Sequence, residues 1–106
     1  MSTIVTLYNA SASHGGACNC NDLHVQGPAK SSSVGTIEAG QTAHIDLSQQ
    51  GWDQYEGQEC ELAARCSGCS GCSGWRHSAK FIYQLDKTYH FDWYGPSSNP
   101  QIEGPN

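Results

Sequence analysis

Gln41-Thr42-Ala43-His44-Ile45-Asp46-Leu47 decides the fold class. Ala43, Ile45 and Leu47 alternate with Thr42, His44 and Asp46. A period of two marks a strand with one buried and one wet face, because successive side chains leave the backbone on opposite sides. Just upstream, Ala39-Gly40 separates this run from residues 34–38. Glycine supplies the positive φ of a tight turn, so the two arms are predicted to form a hairpin.

Working outward, the same alternation recurs. Residues 58–66 set Cys60, Leu62, Ala64 and Cys66 against Glu59, Glu61, Ala63 and Arg65. Residues 78–85 set Ala79, Phe81, Tyr83 and Leu85 against Lys80, Ile82 and Gln84, and residues 88–94 set Tyr89, Phe91 and Trp93 against Thr88, His90, Asp92 and Tyr94. Thr3 to Asn9 is rich in β-branched and aromatic residues, and Leu23 and Val25 alternate with polar neighbours until Gly27-Pro28 stops the run. No window carries a helical period. Seven short strands with turn signals between them predict an all-β fold, an antiparallel β-sandwich of about seven strands, with a barrel as the alternative. The chain of 106 residues reads as one domain, and its tail from Gly95, holding Pro96, Pro100 and Pro105, as extended or irregular.

Low apolar content and 12 glycines leave a thin margin of burial over chain entropy, so cross-links are expected. Cys18, Cys20, Cys60, Cys66, Cys69 and Cys72 make an even number, which fits three disulfides in an oxidising compartment and predicts an extracellular protein. The first residues carry neither the basic region nor the apolar run of a signal peptide, and no stretch approaches the roughly 20 apolar residues of a membrane span. A net charge of −5 with five scattered Lys and Arg excludes a phosphate-binding footprint and hence a nucleic-acid partner.

Three of the cysteines stand in Cys66-Ser67-Gly68-Cys69-Ser70-Gly71-Cys72, a segment too poor in propensity to hold its own shape. If each connection reverses the chain, loops 10–21, 39–40, 67–77 and the exit after Tyr94 share one end of the molecule, while the Trp52 loop and Asp86-Lys87 share the other. Cys18 or Cys20 is then placed to bridge to the Cys66–Cys72 group. The competing reading is a metal site built from Cys69-x-x-Cys72, Cys18-x-Cys20 and His24 or His77, the basis of a small metal-dependent enzyme. His14 and His77 could also meet at that end, and Asp53, Glu56 and Glu59 suggest a weak calcium loop. No serine-nucleophile elbow or phosphate loop occurs, so no catalytic residues and no cofactor are assigned.

Aromatic and hydrogen-bonding residues gather in the connections. Trp52, Asp53 and Tyr55, then Trp75, Arg76 and His77, then Tyr94 and Asn99, are the candidate ligand-binding residues, since flat rings with a polar edge suit a sugar face or a membrane interface. Trp93, alternating with Tyr89 and Phe91, reads as core.

The run Ser32 to Leu47, with its Ala39-Gly40-Gln41-Thr42 turn, resembles the hairpin of the aegerolysins and, more loosely, the opening of thaumatin-like proteins. Strand order, acidic charge and the closing Phe81-Ile82-Tyr83 and Tyr89 to Gly95 are also similar to an aegerolysin. That resemblance implies a small all-β defence or lipid-binding protein. The expectation from the residues themselves is a non-enzymatic, lectin-like protein that recognises glycan through loop aromatics, with a lipid headgroup as the alternative partner; the oligomeric state stays open.

Overall fold

The computed structural model describes residues 2–13, 16–67, 69 and 71–106, with the backbone alone at Ser67. Among these residues nine strands form: β1 (Ile4–Asn9), β2 (Cys20–Gln26), β3 (Ser31–Ile37), β4 (Thr42–Asp46), β5 (Glu59–Ser67), β6 (Ser73–His77), β7 (Phe81–Ile82), β8 (Thr88–Tyr94) and β9 (Gln101–Glu103). They build two packed sheets, ordered β4-β1-β8-β9 and β3-β2-β5-β6, with β7 pairing β5 beyond the end of β6. The all-β sandwich expected from the alternating runs is therefore present. No helix among the described residues is long and apolar enough to cross a membrane.

The inward faces match the alternation. Val5 and Leu7, Leu23 and Val25, Ala43 and Ile45, Leu62 and Ala64, and Tyr89, Phe91 and Trp93 fill the space between the sheets. Ala79, expected on the inner face, is exposed. Ser78 breaks the ladder there: its backbone N–H donates to the Leu62 carbonyl at 2.9 Å, and its hydroxyl oxygen accepts from the Leu62 N–H at 2.9 Å. The predicted strand 78–85 shrinks to Phe81–Ile82 for that reason.

Three further features depart from the sequence reading. β1 pairs β8 in parallel, so the sheets are not purely antiparallel. Residues 73–77, read as loop, form β6 against the outer half of β5, and the proline-rich tail contributes β9, which pairs β8. Finally, the arms flanking Ala39-Gly40 lie in different sheets. Gly40, at φ 85°, turns the chain across the sandwich, where its N–H donates to the Asn9 carbonyl at 2.8 Å and the Asn9 N–H donates to the Gln41 carbonyl at 2.9 Å. β1 competes successfully for the ladder that a hairpin would have used.

Two disulfides form among the described residues, Cys18–Cys69 and Cys66–Cys72, with Cα separations of 5.6 and 5.8 Å. The first ties the loop after β1 to the loop after β5, as the shared-end reasoning requires. Cys20 and Cys60 are buried free thiols, so the expected third bridge is absent. Cys60 lies near the start of β5, whereas Cys20 lies beside its far end. Six residues of strand separate those ends by about 20 Å, far beyond disulfide reach.

Candidate functional site

The outer face of the β3-β2-β5-β6 sheet carries the candidate site. Register sets Asn21, Arg65 and Trp75 in one cross-strand row and His24, Ala63 and His77 in the next. Period two within β6 turns Trp75 and His77 to this face and Arg76 away from it. Trp75 is 48% exposed, while Ala63 between the two histidines is 1% exposed and forms a floor.

Trp75 is held in place rather than free. The His24 ring meets it edge-on, with centroids 5.5 Å apart and planes at 81°, and the Arg65 guanidinium carbon lies 5.8 Å from its ring centroid. Arg65 is oriented in turn by Asp22, whose carboxylate accepts from Arg65 Nε–H at 2.6 Å. Asp22 sits at φ 53° where the β2 register shifts. An irregularity of this kind re-aims a side chain, and aspartate tolerates the left-handed region better than bulkier residues do. His24 Nδ1–H donates to the Asp22 carbonyl at 3.0 Å, and Nε2 stands 3.2 Å from the Gln26 amide. His77 Nδ1 lies 3.4 Å from the Glu61 carboxylate.

Two shallow depressions flank the Trp75–His24 pair. One, of about 310 Å³, is lined by Asp22, Leu23, His24, Ser31, Ser33, Gly35 and Trp75. The other, of about 270 Å³, is lined by His24, Gln26, Ala63, Trp75 and His77. The face thus offers a rigid indole bordered by hydroxyl, amide, imidazole and carboxylate groups.

Of the sequence candidates, Trp75 and His77 meet here, and the others do not. Trp52 is a core residue, 1% exposed: its Nε1–H donates to Ser32 Oγ at 2.8 Å and its ring stacks on Tyr83, 6.1 Å away at 26°. Tyr55, half-buried, packs edge-on against it at 6.0 Å. Asp53 accepts hydrogen bonds from Ser48 Oγ and Tyr83 OH, each at 2.7 Å. The loop expected to present these residues is therefore folded back as a plug. Arg76 and Asn99 serve each other: Arg76 Nη2 donates to Asn99 Oδ1 at 3.0 Å and Arg76 Nε to the Pro100 carbonyl at 2.8 Å, closing the edge between β6 and the tail. Tyr94 lies on the outer face of the other sheet, where its hydroxyl donates to the Glu103 carboxylate and is held above the usual phenol value by that bond.

Hydrogen bonds from Tyr83 and Ser48 hold the Asp53 carboxyl below its ordinary value. A depressed folded-state value stabilises fully above the unfolded pKa, near 4, and that stabilisation is lost as pH falls through the folded value. Asp53→Asn, which keeps an acceptor oxygen, is accordingly expected to flatten the acid limb. Thermal melts from pH 6 to pH 2 should show the wild-type Tm falling more steeply than the variant's, and parallel curves would remove Asp53 from the acid response.

The cysteine metal site of the alternative reading is replaced by the disulfides, because oxidised sulfur offers no thiolate. Among the described residues no group of three or more His, Cys, Asp and Glu could hold a metal ion. His14 lies outside the described residues. Sequence reasoning missed Asp22, Gln26 and Arg65 as site residues and considered His24 as a metal ligand alone. The outward position of Arg65 was legible from alternation, but its pairing with Asn21, 44 residues away, was not, because strand pairing over such a distance carries no local signal.

No family model and no curated protein matches the chain. The fold is similar to an NMR structure of a protein from Eubacterium rectale, with TM-score 0.54 at 10% identity, covering 95% of this chain and 85% of that one. At that identity the likeness speaks for the fold alone.

Proposed function

We propose that this protein is a non-enzymatic, lectin-like binding module that takes a glycan on the outer face of β2, β5 and β6. The observation that supports the reading is the half-exposed Trp75, immobilised by His24 and Arg65 on a sheet face otherwise lined by hydrogen-bonding groups. A sugar ring has an apolar C–H face that stacks on indole, and equatorial hydroxyls that reach the rim, here Asp22, His24, Gln26 and Ser33. Because the platform is already ordered, little side-chain entropy is lost on binding.

A glycan array probed with the wild-type chain and with Trp75→Ala tests the proposal. Binding to a defined glycan class is expected, with about thirtyfold loss in the variant, the ~2 kcal/mol typical of a central aromatic anchor. NMR titration should move the resonances of Asp22, His24, Gln26 and His77. A blank array, or binding that survives in Trp75→Ala, would overturn the reading. Cosedimentation with vesicles in the absence of any glycan response would transfer support to the lipid-headgroup alternative.

A further inference from the structure

Cys20 is a buried free thiol at the start of β2. Asn21 of β2 pairs with Arg65 of β5, and continuing that antiparallel register by one residue sets Cys20 level with Cys66. Both side chains point into the core, at 0% and 1% exposure. Directly opposed residues of an antiparallel pair have Cα atoms about 4.5–5.5 Å apart, inside the range a disulfide spans. Cys66 is already bonded to Cys72. At the other sulfur of that bond stands a cation: Arg76 Nη2 lies 3.4 Å from Cys72 Sγ.

A free thiol on one sulfur and a guanidinium on the other are the parts of a displacement. We propose that Cys20, Cys66 and Cys72 form a thiol–disulfide exchange site in which Cys66–Cys72 and Cys20–Cys66 are alternative pairings, and that exchange unmasks Cys72 as a reactive thiol beside Arg76. The Cys20 thiolate attacks Cys66 Sγ. The Cys20–Cys66 bond forms, the Cys66–Cys72 bond breaks, and Cys72 leaves with the electron pair as a thiolate stabilised by Arg76. The proton lost by Cys20 balances the one Cys72 takes up when it is protonated, and no external oxidant or reductant is consumed.

The direction of attack follows from the charges. Leaving-group sulfur departs faster when its thiolate is stabilised, and a neighbouring arginine lowers a thiol's pKa. Cys18–Cys69 has no such role in the scheme and continues to tie the two loops throughout. Desolvation pushes the Cys20 thiol up to about 12, with no charged neighbour contributing to that shift. Only about one molecule in 10⁵ is then thiolate at pH 7, so exchange is slow at neutral pH and accelerates about tenfold per pH unit until it approaches that value. Cys60 is an internal control, a second buried thiol also pushed up to about 12, lying instead against the Phe81 carbonyl.

The test uses the full chain. After incubation at pH 7, 8 and 9, samples are quenched with acid, unfolded at low pH, labelled with N-ethylmaleimide and mapped by mass spectrometry. The label is expected on Cys20 and Cys60 at the outset, moving from Cys20 to Cys72 about tenfold faster per pH unit while Cys60 stays labelled. Arg76→Gln should slow the transfer about tenfold and Arg76→Lys should restore most of it; Cys20→Ser should leave Cys72 unlabelled. Label that remains on Cys20 after prolonged incubation at pH 9 overturns the proposal in the wild-type protein alone, whatever the variants do. So does Cys72 labelling that is equal in Cys20→Ser.

Discussion

Trp52→Ala is expected to lower the stability of the fold by about 3–5 kcal/mol, the usual cost of deleting a large buried aromatic. The indole is 1% exposed and makes three kinds of contact at once: a hydrogen bond to Ser32, a stack on Tyr83 and an edge contact with Tyr55. A Cβ built on Gly27 would come within 3.0 Å of Trp52 Cζ3, so the β2–β3 turn is moulded onto the ring. Truncation leaves a cavity that the flanking turn, hydrogen-bonded between Gly27 N–H and the Lys30 carbonyl at 2.8 Å, cannot easily fill. A domain of this size holds only about 5–15 kcal/mol in total, so the loss removes a large share of it. Chemical denaturation should show a lower midpoint with little change in slope. Trp75→Ala, which removes a half-exposed ring with only the His24 and Arg65 contacts, should cost about 1 kcal/mol, well short of the Trp52 loss. If the two tryptophan variants unfold at the same denaturant concentration, Trp52 is not a core plug.

Asn9→Leu is expected to cost a comparable amount through a different mechanism. Asn9 is fully buried, and its side-chain amide is completely used. Nδ2–H donates to the Cys18 and Ile37 carbonyls, both at 2.8 Å, and Oδ1 accepts from the Ser11 N–H at 3.1 Å and the Ser11 hydroxyl at 2.6 Å. One side chain therefore binds together the end of β1, the loop leading to β2 and the crossover from β3 to β4. Leucine of similar size takes the amide donor from the Ile37 carbonyl and the acceptor from the Ser11 N–H, while the Cys18 carbonyl keeps the Ser11 hydroxyl at 3.1 Å; at about 1–3 kcal/mol for each of the two groups left unsatisfied, the total is about 2–6 kcal/mol. Asn9→Asp should be at least as damaging, since a carboxylate would face two carbonyl oxygens in a desolvated site. Denaturation midpoints measure the cost. Hydrogen exchange should show lost protection at Gly40, whose N–H donates to the Asn9 carbonyl at 2.8 Å. A variant as stable as wild type would mean that water substitutes for the amide.

Alternation carried the sequence reading furthest in β4, β5 and β8. Each places its apolar set inward, Ala43 and Ile45, Leu62 and Ala64, Tyr89, Phe91 and Trp93, as a two-residue period demands. The reading failed where a polar or glycine-rich stretch takes its structure from a neighbour. Ser73–His77 has no inward apolar set of its own; it becomes a strand because β5 offers an unpaired edge. Gln101–Glu103 likewise lies on the edge that β8 presents, and Arg76 fastens the adjoining turn. Trp52 lies in a polar loop, and nothing local distinguishes an aromatic that plugs a sandwich end from one that faces solvent.

The candidate site divides in the same way. The outward direction of Arg65 followed from period two, and the aromatic stretch at Trp75 stood out in the sequence. That His24 should meet Trp75 and that Asp22 should aim Arg65 at it are consequences of β2 lying beside β5, and β5 beside β6. By itself the sequence determined the all-β class, the inner and outer faces of its longest strands and the shared end of Cys18 and Cys69, because these rest on side-chain period and chain reversal. Only the tertiary structure decided which strands are neighbours, which aromatic is buried and which cysteines pair. Those outcomes depend on contacts between residues far apart in the chain, where competition for ladder hydrogen bonds and core volume outweighs any local preference.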